Sequence, residues 1–410
     1  MNIVKWLYPG MGIKRWILVV ALGIIMIAVG GWYWLSQENM PVVVIGGMDL
    51  IIGIILVIIG TKRIIHNFIN AFLPGTEDNI ADIVYKRRQL RNGPRLVAIG
   101  GGTGLSVLLT GLKKYSDNIT AVVTVADDGG SSGRLREQYD ILPPGDIRNC
   151  LVALADTEPL MRDLFQFRFD EGGELAGHSF GNLFIMAMSR LTGDFQKAIE
   201  ESSKVLAIRG RVIPSTLNKV VLSAQLEDGS KVMGQANIAD SRIPIEKIFL
   251  VPEKCRANEE ALKAVRRAKA IVLSAGSLFT SILPNLLVEE LRQEIINSRA
   301  IKIYVCNVMT QNGETSGFKA SDHLKALIKH THPELIDYVI VNKAVIPAEF
   351  IKRYKEENAF PVEPDTQAIE RMGYKVMEDE VISTVDYIRH DSEKLARIIN
   401  RILKKESVVF

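Results

Sequence analysis

Two apolar runs stand back to back near the N-terminus. Trp16–Leu35 carries no charge, and Pro41–Gly60 carries only Asp49. Each has about the 20 residues that an α-helix needs to cross a bilayer. Only Ser36–Met40 separates them, which predicts a tight helical hairpin with both ends on one side. Lys5, Lys14 and Arg15 precede the first run, Lys62 and Arg63 follow the second, and the connection has no lysine or arginine. That asymmetry places both ends in the cytoplasm of a multi-pass membrane protein. A cleaved signal peptide fits poorly, because the first run is long for one and a second run follows at once. A carboxylate in lipid is costly, so Asp49 is expected near the outer surface.

Beyond Leu96 the period changes. Leu96–Ile99, Ile119–Ala126, Ala270–Ser274, Ile301–Cys306 and Tyr338–Asn342 are short apolar runs of buried-strand type. The first opens into glycines and then into helix-spaced Leu105, Leu108, Leu109 and Leu112. Strands alternating with helices predict an α/β domain on a mostly parallel, Rossmann-like sheet. The stretch near 212–250 breaks this rhythm. Its strand-like segments flank Asp228-Gly229, a hairpin signal, and predict an antiparallel insertion. The expected organisation is a hairpin over 1–61, a linker over 62–94, the α/β domain over 95–390 and a helical tail over 391–410. The linker ends in a basic cluster, Lys86, Arg87, Arg88, Arg91 and Arg95, suited to anionic headgroups or to a plain solvated face.

Composition narrows the classes. In 410 residues the net charge is only +3, which gives no reason to expect nucleic acid. The three cysteines show no paired spacing, against a disulfide framework or a cysteine zinc site. No H-E-x-x-H, no G-x-x-x-x-G-K-[ST] and no G-x-S-x-G is present, and neither reading of the glycine loop is a clean dinucleotide fingerprint.

Candidate chemistry collects in the loops after the strands. Gly101, Gly102, Thr103 and Gly104 let backbone approach a phosphate, with the N–H groups of a helix N-terminus facing it. Asp127 and Asp128 stand where an acid contacts ribose in doubly wound folds, and they also suit a divalent metal or a plain turn. Arg134 and Arg136 can neutralise phosphate oxygens. Asp146 reads as the cap of a helix beginning near Ile147, or as a pocket acid opposite Arg148. His178 sits in a glycine-flanked polar cluster with Ser179 and Asn182, and Asn182 suits a cap, a base or a sugar. Gly276 and Ser277 open a second anion nest. Asn307, Thr310, Gln311 and Glu314 lie past a strand C-terminus, where open α/β sheets bind ligands.

These signatures recur in one order: Gly100–Ser106, Ala126–Arg136, Pro143–Asn149, His178–Asn182, Gly276–Ser281 and Asn307–Thr315. Over about Pro94–Ile388 the chain resembles the gluconeogenesis-factor family of uridine-diphosphosugar-binding proteins, related to 2-phospho-L-lactate transferase. The resemblance implies a three-layer α/β/α sandwich. It implies a regulatory binding protein for UDP-N-acetylglucosamine or a similar UDP-sugar, linking carbon metabolism to peptidoglycan synthesis and cell shape. Gly101, Gly102, Thr103 and Asp127 inherit phosphate-side roles, and Asn182 and Asn307 become pocket candidates. No cofactor is obligatory, a divalent metal is an optional companion, and envelope-synthesis proteins and a second copy of the chain are the candidate partners. The alternative is a metal-dependent transferase like the lactyl transferases. The family loop glycine-proline-glycine-serine-leucine is here Ser274-Ala275-Gly276-Ser277-Leu278, which is expected to loosen it.

Overall fold

The computed structural model describes residues 13–36, 40–72, 80–170, 172–383 and 387–407. It divides into two units, residues 1–88 and 89–410. In the first, helices α1 (Ile13–Ser36) and α2 (Met40–Phe72) pack side by side. Glycines set their spacing. A methyl group on Gly23 would lie 2.7 Å from the carbonyl oxygen of Gly53, and one on Gly30 would lie 2.7 Å from that of Gly46. Both helices are long and apolar enough to cross a membrane by length and composition, and only 11% of each apolar window is buried.

The expected boundaries shift. Helix α2 runs to Phe72, past the expected hairpin end at 61, because its apolar period continues through Ile64, Ile65 and Phe68. A third helix, α3 (Ile80–Arg91), occupies most of the rest of the linker. Its last residues, from Gln89, belong to the second unit. Leu90 is buried, and its carbonyl accepts N–H bonds from Gly93 at 3.0 Å and Asp117 at 2.9 Å.

The second unit is built on seven parallel strands. In chain order the first three are β1 (Leu96–Gly100), β2 (Ile119–Val123) and β3 (Arg211–Pro214). A separate three-stranded antiparallel sheet follows, from β4 (Val221–Leu226), β5 (Lys231–Met233) and β6 (Ile245–Val251). The large sheet resumes with β7 (Ala270–Leu273), β8 (Ile301–Val305), β9 (Tyr338–Asn342) and β10 (Lys375–Asp379). Its spatial order is β10-β9-β8-β7-β1-β2-β3. The insertion therefore starts later than 212. Val212 and Ile213 are buried beside Ala121 and Val122 in parallel register, so this run is the edge strand of the main sheet.

Helices cover both faces of the sheet. Helix α4 (Gly102–Leu112) follows β1 and packs on the helix Gly145–Leu154 and on the closing helix Ser392–Ser407. The latter was expected as a tail. Its Leu395, Ala396, Ile399 and Ile402 are instead buried in the main core, because its apolar face repeats every three to four residues. Gly111 makes the approach possible: a methyl group there would lie 1.9 Å from the Ser392 carbonyl oxygen.

Candidate functional site

The strand order reverses between β1 and β7. From β1 the chain winds outward to β2 and β3, and from β7 it winds the other way. Open α/β sheets bind ligands at such a reversal, beyond the carboxyl ends of the strands. The two glycine-containing loops meet there. Gly102 has φ +61°, a left-handed conformation that favours glycine. A methyl group on Gly104 would fall 1.4 Å from the Ala275 carbonyl oxygen, so the first turn of α4 touches the loop after β7.

That second loop is held from behind. The Asn307 side-chain oxygen accepts the Gly276 N–H at 3.2 Å. Ser277 Oγ accepts the Thr280 N–H at 3.1 Å and caps the following turn, Leu278–Ile282. Buried Glu314 accepts hydrogen bonds from the Ser277 hydroxyl and, at 3.2 Å, from the Thr280 hydroxyl. Burial raises the Glu314 carboxyl above the usual carboxylate range. Glu314 thus props the loop from below.

A cleft of about 410 Å³ opens over these loops. Thr103, Gly104, Gly276, Ser277, Asn307 and Thr310 line its sheet side. Tyr354, Arg389 and His390 close it from the C-terminal segments. Burial lowers His390 to about 4, so its ring is neutral near pH 7, with Nε2 at 3.2 Å from the Cys306 carbonyl oxygen. Thr310 Oγ1 accepts the Phe360 N–H at 2.9 Å.

A second polar cluster lies across the glycine loop. Asp127 Oδ1 accepts the Gly129 N–H at 3.1 Å, and burial raises its carboxyl, with Asp128 adding to the effect. Asp146 is pushed to about 6, first by burial and then by the charge of Asp127, against a hydrogen bond from the Gly102 N–H. It is no cap. The helix Gly145–Leu154 begins at Gly145 with Pro144 at its N-cap, so Asp146 lies in the first turn and faces the glycine loop. A methyl group on Gly101 would lie 2.6 Å from its Oδ2. Behind the acids, Ser131 Oγ lies 2.9 Å from His178 Nδ1 and accepts the Asn182 side-chain amide at 3.0 Å. The Asn182 side-chain oxygen is buried without a hydrogen-bond partner. Burial, followed by Arg134 and Arg168, lowers the His178 pKa.

Three expected ligand residues turn away. Asp128 accepts the backbone N–H groups of Gln235 at 3.0 Å and Ala236 at 2.9 Å, fastening the antiparallel insertion. Arg134 donates to the Ala176 carbonyl at 2.8 Å and pins the His178 loop, while Arg136 donates to the Val220 carbonyl at 2.7 Å. The other expected residues divide between the cleft and the acid cluster, with Gly101 and Gly102 as the wall between them. Sequence reasoning left out Tyr354, Arg389 and His390. No glycine run marks them in the sequence.

A parallel sheet with this reversal, and a glycine loop opening a helix at it, defines a doubly wound α/β protein. The family described as 2-phospho-L-lactate transferase CofD matches residues 96–382. The chain belongs to this family, among its members named gluconeogenesis factor. A Nostoc protein named putative gluconeogenesis factor is 43% identical over 96% of this chain and 91% of its own. The gluconeogenesis factor of Bacillus subtilis is 49% identical over 76% of this chain and 99% of its own. A crystal structure of a UPF0052-family protein from Bacillus halodurans is 46% identical, covers 75% of this chain and 99% of its own, and superposes with a TM-score of 0.73.

Proposed function

We propose that this protein binds a UDP-sugar, with UDP-N-acetylglucosamine the leading candidate, and acts as a membrane-tethered regulator. In this reading it links carbon metabolism to peptidoglycan synthesis and cell shape. One observation carries the reading: the glycine loop and the Gly276–Ser277 loop flank the same cleft at the sheet reversal. Backbone N–H groups at the start of α4 suit a diphosphate. Asn307 and Gln311 offer amides for a base or sugar, and Arg389 offers a cation. The relatives' name, gluconeogenesis factor, supports a place in carbon metabolism. Two helices of membrane-spanning length support the tether, and the basic flanks support a cytoplasmic cleft.

Titration calorimetry of the full chain in detergent with UDP-N-acetylglucosamine tests the ligand. Saturable binding that Gly104→Ala abolishes supports it. No heat with UDP-N-acetylglucosamine, UDP-glucose or UDP at millimolar concentration overturns it.

The half-buried Asp127–Asp146 pair favours a second reading, metal-dependent transfer from a nucleotide-activated substrate. Among the described residues no group of three or more His, Cys, Asp or Glu could hold an ion. Two carboxylates nevertheless suit magnesium when substrate phosphates complete its shell. The ion would there offset charge on the transferring phosphate, while Asp127 and Asp146 fix its position. Product formation that requires magnesium and fails in Asp127→Asn would favour this reading.

A further inference from the structure

The sheet has a second working edge. At the amino ends of β1, β2 and β3, opposite the cleft, lies a depression of about 300 Å³. Arg95, Arg211, Lys263 and Arg267 line it against Asp117 and Glu260, four cations to two carboxylates. Glu260 is already engaged by Arg211 at 2.8 Å and Lys263 at 3.0 Å. All four cations are exposed, as is Arg91 just before them. In the sequence Lys86, Arg87 and Arg88 directly precede this group. This is also the edge at which the chain enters the domain, seven residues and one helix after an apolar helix of membrane-spanning length.

We propose that this amino-terminal edge of the sheet docks on anionic lipid headgroups. The proposal stands apart from the nucleotide-sugar reading, since none of these residues touches the cleft. Basic side chains beside a membrane anchor are drawn to acidic lipid, each adding a modest increment that salt screens. Short connection and matching charge both favour lipid as the occupant of this edge. Docking there leaves the opposite, carboxyl edge of the sheet, with its cleft, open to soluble ligand.

The homologous crystal structure covers 99% of its own chain against 75% of this one, so a family member folds at about the length of residues 89–410. That fragment can be sedimented with vesicles of phosphatidylcholine alone or mixed equally with phosphatidylglycerol. We expect binding to the mixed vesicles only, lost at high salt. The double variant Arg95→Glu, Arg267→Glu should lower it at least about tenfold, with an unchanged circular dichroism melt. Equal partition to both vesicles, no binding to either, or full binding by the variant overturns the proposal. Release by inorganic phosphate at constant ionic strength also overturns it, because the edge would then be a site for a soluble anion.

Discussion

Single side chains decide how closely the two loops approach. An added methyl at Gly104 must displace the Ala275 backbone, since the gap is 1.4 Å. Overpacking of this kind costs about 1–3 kcal/mol. We expect Gly104→Ala to lower the free energy of unfolding by that amount and to abolish ligand binding. Asp146 makes a pH-dependent claim. Its folded pKa, about 6, lies above the 3.8 of an exposed aspartate. The folded state therefore holds the proton more tightly, and the associated stability is complete below about pH 4 and lost as pH rises through 6. Asp146→Asn, which keeps an acceptor for the Gly102 N–H, should exceed wild type by on the order of 2 kcal/mol above pH 7 and match it near pH 4. Denaturant titrations across that range check both ends. The glycine loop was legible because its glycines do one thing, permit close backbone approach. The acids were not, because a short carboxylate beside glycine or proline reads the same whether it caps a helix, fastens a strand connection or faces a ligand. Of the readings open to each, Asp128 fastens the strand connection and Asp146 faces the glycine loop.

Elements carry the next level of argument. The run Leu395–Leu403 was legible as an amphipathic helix, but its partner was not, since periodicity shows that a face is buried and never against what. Ile399 is fully buried in the main core. Ile399→Ala should cost about 2–4 kcal/mol, whereas Lys405→Ala should stay within about 0.5 kcal/mol; chemical denaturation distinguishes them. The start of the antiparallel insertion was misplaced because an apolar run reads alike on the edge of a parallel sheet and in a hairpin. Its turn was placed correctly: Gly229 has φ +83° and Leu226 N–H bonds the Ser230 carbonyl at 2.9 Å across Asp228-Gly229. The loop after β7, expected to be loosened by Ser274-Ala275, is instead tied by Asn307 and by Glu314. Glu314→Ala should free Ser277 and weaken UDP-sugar binding about tenfold, the worth of a lost hydrogen bond to a charged group. Glu314→Gln, which preserves an acceptor, should recover part of it in calorimetry.

At the scale of the whole chain, the two units differ in what they bury. The second buries its sheet under helices, while the first leaves most of its apolar surface outward and buries glycines instead. In lipid, apolar side chains gain nothing by meeting each other, so helices associate through close backbone packing at small residues. Gly23, Gly30, Gly46 and Gly53 supply that contact here. A β-branched side chain at Gly53 has no room, because a methyl there already lies 2.7 Å from the Gly23 carbonyl oxygen. Gly53→Ile should therefore separate α1 from α2, seen as a longer distance between spin labels placed one on each helix in reconstituted vesicles. Every residue lining the cleft belongs to residues 89–410. The same variant should accordingly keep its UDP-N-acetylglucosamine affinity within about twofold, a change below the ~0.5 kcal/mol at which distant sites cease to add. A larger loss of affinity on opening the hairpin would mean that the anchor and the cleft are coupled, and that the tether also regulates the site.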